Sequence, residues 1–231
     1  GMAHEINQPL SAITMSINNL VIKARKKELS ESYLDDKIRK IMDDIQRIRN
    51  VIEHVRLFSR DQINSKPERI DIHQTLKDAI HLIAYDLGKH QIKLRMPHDE
   101  PPLITVGSKF KLEQVFLNLL TNARDAILEN IRKDGLNARD PLIEIDVRVL
   151  EDTVEIAFSD NGTGMSEQSI ARMFDPFYTT KSPEKGTGLG LSISYGIIHE
   201  MGGQILVSSE PGKITKITVV LPILEEQKWQ S

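Results

Sequence analysis

Residues 160–165 read Asp160-Asn161-Gly162-Thr163-Gly164-Met165, residues 174–181 read Phe174-Asp175-Pro176-Phe177-Tyr178-Thr179-Thr180-Lys181, and residues 186–191 read Gly186-Thr187-Gly188-Leu189-Gly190-Leu191. Two glycine clusters flank a polar segment. Glycine reaches positive φ and lets the backbone approach a ligand closely. The second cluster is followed by Leu191, Ile193, Ile197, Ile198 and Met201, the spacing of a helix with one buried stripe. Backbone N–H groups at a helix start attract phosphate, so Gly186 to Gly190 reads as a phosphate cradle feeding a helix. It is not a P-loop, since no Gly-Lys-Ser/Thr follows four spacers. What precedes it is a polar loop rather than a strand, which disfavours a dinucleotide fingerprint.

Working outward, Leu142 to Leu150 and Val154 to Phe158 alternate as paired strands joined by Glu151-Asp152-Thr153, and the second delivers Asp160 at its end. A carboxylate there can accept a hydrogen bond from an exocyclic amine, or can simply shape an Asp-Asn-Gly turn. Ser166 to Met173 reads as helical. Gly203 to Ser209 and Lys213 to Leu221 form a closing hairpin around Pro211-Gly212. Upstream, Ser108 can cap a buried helix through Leu112, Val115, Phe116, Leu119, Leu120, Ala123, Ile127 and Leu128. Asn118 and Asn122 share one face of it, a turn apart. Buried amides need partners, either local backbone or a metal–phosphate group. Residues 68–72 read as a strand, Thr75 to Leu87 as a helix ended by Gly88, Gln91 to Met96 as a strand, and Pro97 to Pro102 as a loop.

The first 60 residues follow a different rule. Apolar residues fall at Ile6, Leu10, Ile13, Ile17, Leu20 and Ala24, and again at Leu34, Ile38, Ile41, Ile45, Ile48, Ile52 and Val55. Both runs are heptad seams. A polar turn at 26–31 separates them, and Ser32 with Asp35 resembles a capping box. Two helices bury two seams poorly alone, so the hairpin is expected to be half of a dimeric four-helix bundle rather than to pack onto the chain's own second domain. His4 lies off this seam, beside Glu5, one turn before Pro9 inside the helical pattern. A proline there removes a backbone hydrogen bond and bends the helix. The organisation expected is therefore a hairpin over 1–60, a linker over 61–67, an α/β domain over 68–224 and a tail over 225–231.

The chain has 231 residues and a net charge of −3, with 27% charged and 39% hydrophobic residues and no cysteine. Disulfide and thiol chemistry are excluded, and a cytoplasmic setting is allowed. The charge gives no reason to expect nucleic-acid binding. No apolar run approaches the roughly 18 residues of a membrane span. No membrane contact is expected within these residues. A membrane anchor in a missing N-terminal region stays open, because the chain starts three residues before His4.

His4-Glu5-Ile6-Asn7-Gln8-Pro9-Leu10 resembles the phosphoacceptor box of sensor histidine kinases of two-component systems. Leu117-Asn118-Leu119-Leu120-Thr121-Asn122-Ala123-Arg124-Asp125-Ala126 is similar to that family's N box, and Phe174 to Tyr178 to its F box. The Asp-x-Gly-x-Gly box at Asp160, Gly162 and Gly164 is shared by the superfamily of gyrase, Hsp90, histidine kinases and MutL. The resemblance implies an α+β fold: the helical hairpin, then an α/β sandwich that binds ATP. It implies adenine at Asp160, Mg²⁺ at Asn122, and Asn118 facing the same phosphates. It also implies phosphates on the amides of Gly186, Thr187, Gly188, Leu189 and Gly190, and Thr215 reaching adenine through water. Lys181 and Lys185 flank a lid over 174–185 and either screen phosphate charge or are solvated. His4 is the expected phosphoacceptor, with Glu5 orienting its imidazole and Gln8 positioning water for dephosphorylation. The lid orders when nucleotide binds, and the catalytic domain swings across the linker toward His4. The expected partners are a response regulator and a second copy of the chain. Hydrolases of the superfamily carry a Glu where Asn118 stands, and an amide cannot take a proton from water. The ATPase alternative is therefore disfavoured, as is a dead scaffold, since no box is lost.

Overall fold

The computed structural model describes residues 2–60, 67–96, 101–134, 140–181 and 187–224; at residues 2–8, 43, 46, 47, 49–60 and 134 it describes the helix backbone alone. The chain divides into two compact units, Gly1–Ser65 and Lys66–Ser231.

The first unit is a hairpin of α1 (Met2–Arg25) and α2 (Glu31–Arg60), with Pro9 inside α1. Among the described side chains each seam is covered on alternate turns. Ile13, Leu20, Leu34, Ile41 and Ile48 are half-buried, whereas Leu10, Ile17, Ile38 and Ile45 stay exposed. The turn between the helices is a six-to-one closure: Glu28 N–H donates to the Lys23 carbonyl and Lys27 N–H to that of Ala24. Lys27 takes the left-handed position with φ of 57°, where glycine is usual. Ser30 caps α2, its Oγ accepting from Tyr33 N–H at 3.3 Å. The cap therefore falls two residues before the expected Ser32, because Glu31 already opens the helix.

The second unit contains a two-stranded sheet, β1 (Glu68–Asp71) with β3 (Ile104–Gly107), and a five-stranded sheet. The latter comprises β2 (Lys93–Arg95), β4 (Leu142–Val149), β5 (Thr153–Asp160), β7 (Ile214–Pro222) and β6 (Gln204–Glu210), ordered β2-β4-β5-β7-β6. Pairing is antiparallel except for β2 with β4. Successive strand residues face opposite sides, so one cross-strand row joins Ile145, Phe158, Ile217 and Val207. That face meets a layer of helices, α3 (Ile72–Lys89), α4 (Lys109–Asp134) and α6 (Gly190–Glu200), with α5 (Glu167–Arg172) as a short addition. Phe116 of α4 meets Phe158 with ring centroids 5.7 Å apart. The other face carries Glu144, Asp146 and Lys216, all exposed. The result is the expected α/β sandwich.

Two local expectations differ from the fold. Helix α3 runs through Gly88 to Lys89, because its end is closed further on. Ile92 N–H donates to the Leu87 carbonyl and Gln91 N–H to that of Gly88, with Gln91 at φ of 56°. Strand β3 was not anticipated; it pairs Ile70 with Thr105. At the outer edge of the larger sheet, β2 is three residues long. Lys93 Nζ lies 2.8 Å from the Asp140 carboxylate, and Arg95 faces Glu144 at 4.0 Å.

Candidate active site

Helix α4 presents its polar residues at one end of the sandwich in a defined order. Asn118 Nδ2 donates to Ser194 Oγ of α6 at 2.9 Å. Its Oδ1 accepts from Asn122 Nδ2 at 3.4 Å. These two bonds fix which way each amide faces, so Asn122 Oδ1 points away from Asn118. The ammonium of Lys181 meets that oxygen at 3.2 Å. Gly190, the first residue of α6, lies directly on Asn118; a Cβ there would stand 2.3 Å from Oδ1. A side chain at this position would push the Asn118 amide away from its bonds to Ser194 and Asn122.

Lys181 has a second partner, Asp125, whose Oδ2 lies 2.7 Å from Nζ. Asp125 Oδ1 accepts from Arg124 Nε at 3.0 Å and Nη2 at 2.6 Å. Arg124 Nη1 also reaches Asp86 Oδ2 on α3 at 2.5 Å. Burial alone would raise the Asp125 carboxyl, but the Lys181 ammonium and Arg124 guanidinium outweigh it and hold the group below the usual carboxylate range. Sequence reasoning did not single out Asp125, Arg124 or Ser194. Asp125 was accessible to it, since three residues after Asn122 is the same helix face.

Strand β5 ends on Asp160, only 6% exposed. Its Oδ1 accepts from Gly162 N–H at 2.9 Å. Burial is the larger influence and pushes the carboxyl up to about 7, against the lowering effect of that single bond. Thr215 on β7 is its register partner and is equally buried. Thr215 Oγ1 lies 3.0 Å from Ser209 Oγ, which in turn accepts from Met165 N–H at 2.8 Å. Gly164, at φ of 65°, lies in the turn between Asp160 and Met165. A buried acceptor beside a backbone turn suits a neutral amine donor.

Gly188 adopts φ of 66°, and a Cβ there would stand 2.4 Å from the backbone carbonyl carbon of Phe177. Phe177 is itself left-handed at φ of 67°. The two ends of the segment between them therefore meet backbone to backbone. Thr187 Oγ1 accepts from Leu189 N–H at 3.5 Å, and α6 begins at the next residue. Gly186 and Lys185 lie outside the described residues, as do the side chains of His4, Glu5 and Gln8, whose backbone belongs to α1. Asn118, Asn122 and Lys181 form one cluster, with Gly190 against Asn118. Asp160, Gly162 and Thr215 form a second on the neighbouring strands. Asn118 has both ends of its amide engaged by protein partners, so it orients Asn122. Oδ1 of Asn122 already faces a cation, and an uncharged oxygen of this kind fits a Mg²⁺ ion that takes its remaining ligands from phosphate and water.

Sandwich, hairpin and amide cluster together define the class: a helical phosphoacceptor-type hairpin joined to a nucleotide-binding fold of the gyrase type. Residues 1–63 match the His kinase A (phospho-acceptor) domain, and residues 107–225 match the histidine kinase-, DNA gyrase B- and HSP90-like ATPase family. The chain belongs to the sensor histidine kinases. It is 33% identical over 224 residues to the two-component sensor PprA of Pseudomonas aeruginosa, covering 96% of this chain and 24% of that protein. It is 36% identical over 234 residues to the sensor kinase CckA of Brucella abortus, covering 99% and 24%. The chain thus spans about a quarter of the length of these curated relatives. Its fold is similar to that of histidine kinase ThkA in a complex with response regulator protein TrrA, with a TM-score of 0.73 and 21% identity over 98% of this chain and 61% of that one. Among the described residues no helix is long and apolar enough to cross a membrane.

Proposed function

We propose that the chain is the ATP-dependent autokinase core of a cytoplasmic two-component sensor, which phosphorylates His4 and passes the phosphoryl group to an aspartate of a response regulator. The observation that carries this reading is the identity and bonding of Asn118. At the place where a hydrolase needs a carboxylate to activate water, the chain has an amide engaged with Ser194 and Asn122. The same chain supplies an alternative acceptor in His4.

In this reading Asp160 accepts from the adenine amino group and Thr215 stands beside it. The backbone amides at Thr187 to Gly190 take the phosphates, together with Gly186. Asn122 would hold Mg²⁺, which would supply neutralisation of phosphate charge. Phosphoryl transfer is mainly positioning and charge neutralisation. One nitrogen of the neutral His4 imidazole forms the new N–P bond with its lone pair. The bond from the γ-phosphorus to the bridging oxygen breaks, and ADP leaves with that electron pair. Glu5 accepts a hydrogen bond from the N–H of the other ring nitrogen, which fixes the tautomer and stabilises the positive charge developing on the imidazole. Gln8 positions water for later removal of the phosphate. The exposed alternate turns of both helical seams support a homodimer built on the hairpin.

Incubation with γ-labelled ATP and Mg²⁺ tests this. The expected label is stable to alkali and labile to acid, and is absent from His4→Gln and in excess EDTA. Release of free phosphate without protein labelling would replace the kinase by a hydrolase.

A further inference from the structure

We infer that Asp125 is a positioning residue: its carboxylate holds the Lys181 ammonium beside Asn122 Oδ1, where the charge of the nucleotide's terminal phosphate is met. The inference rests on the autokinase reading and adds a part to it.

Four side chains of alternating sign form a ladder. Asp86 on α3 holds Arg124, Arg124 holds Oδ1 of Asp125, and Oδ2 of Asp125 holds Lys181. Both oxygens of Asp125 are therefore fixed, and the one facing Lys181 cannot turn away. The pair is no loose surface contact, since the Lys181 and Asp125 side chains are only 26% and 30% exposed. A brace that merely held residue 181 to α4 would need nothing more. Lys181 nevertheless makes a further contact, to the amide oxygen of Asn122. That is the oxygen on which a Mg²⁺ ion would sit, and two cations at one oxygen repel.

Lysine resolves the conflict through its structure. It carries three donors on a flexible four-carbon stem. When metal and nucleotide arrive, the ammonium leaves Asn122 Oδ1 while Asp125 keeps it nearby. Its freed donors then face the phosphate oxygens. No covalent step is involved. Asp125 acts only through Lys181, and its effect belongs to the transfer step, in which phosphate charge redistributes, rather than to adenine recognition.

The test uses the whole chain with Asp125→Asn, Lys181→Met and the double variant. At saturating Mg²⁺-ATP, each single variant is expected to label His4 more slowly by about tenfold or more, the scale of losing one hydrogen bond to a charged group. The double variant is expected to fall no further than either, because one part acts through the other. Asp125→Glu is expected to recover most of the rate. Affinity for adenosine should stay at the wild-type value, and the thermal midpoint should stay well above the assay temperature. In metal-free protein, acylation footprinting by mass spectrometry should find the Lys181 amine several-fold more reactive in Asp125→Asn. Rates within twofold of wild type, a double variant that multiplies the single losses, or a loss explained by a lower thermal midpoint would each overturn the role. Unlabelled wild-type protein would instead sink the autokinase reading on which it rests.

Discussion

Asp160 and Thr215 stand opposite one another on β5 and β7, both nearly sealed from solvent, and among the described residues the carboxyl receives one hydrogen bond, from Gly162 N–H. A buried acid with so little support resists ionising, which is why its pKa rises to about 7.

That shift has a sign. The unfolded chain loses this proton near pH 4, whereas the folded chain keeps it to about 7. Stability from this group is therefore complete below about pH 4, declines as pH rises, and levels off above 7. The whole decline is on the order of 4 kcal/mol. Urea unfolding at pH 5.5, 7 and 8.5 should show the midpoint falling with pH in the wild type, with a flatter profile in Asp160→Asn. Because the carboxylate is the stronger acceptor from an amine, adenosine should bind more tightly at pH 8 than at pH 6. Calorimetry in buffers of different ionisation enthalpy should detect the released proton.

Gly188→Ala puts a methyl group 2.4 Å from the Phe177 carbonyl carbon in a left-handed conformation. A destabilisation of about 2 kcal/mol or more is expected from the left-handed cost and the overlap together. ADP affinity should fall with it, because the amides from Gly188 to Gly190 lose their placement. Thermal unfolding and calorimetric titration with ADP read the two effects separately.

Asn118→Ala removes the partner of Asn122 Nδ2 and of Ser194 Oγ. The unpaired groups should cost about 1–3 kcal/mol. The more specific outcome concerns metal. With its amide free to rotate, Asn122 no longer presents Oδ1, so the gain in ADP affinity on adding Mg²⁺ should shrink. Adenosine affinity should stay at the wild-type value.

Lys27 and Gln91 occupy left-handed positions in helix-ending motifs of one kind. A third such motif closes α6, where Gly203 N–H donates to the Ile198 carbonyl and the left-handed position belongs to Gly202. Lys27→Gly and Gln91→Gly should each stabilise the protein by about 1 kcal/mol, the cost of a side chain in that conformation. Circular dichroism melts of each variant against wild type measure it.

The sequence carried the architecture because hydrophobic period changes sharply along it. The seams from Ile6 and Leu34 could only be helices, and alternation from Leu142 to Phe158 could only be strands. Strand β3 escaped because Ile104–Gly107 is too short to show a period; its partner β1 fixes it. Gly88 misled as a helix end because the closing bonds form one turn later, with Gln91 bearing the left-handed turn. In the site, Asn118 and Asn122 were legible from their spacing and Asp160 from its place at a strand end. The bonds that orient Asn122 were not, since Ser194 and Lys181 lie far from it in the chain and only the fold brings them near.

The short outer strand β2 also governs what the molecule does not do. Its two cations are each engaged by an acid, one on the approach to β4 and one on β4 itself. A strand arriving from another molecule would gain few main-chain bonds from three residues and would meet two charged side chains. Sheet growth by edge addition stops there, so crowded copies of this domain should resist fibre formation along that side.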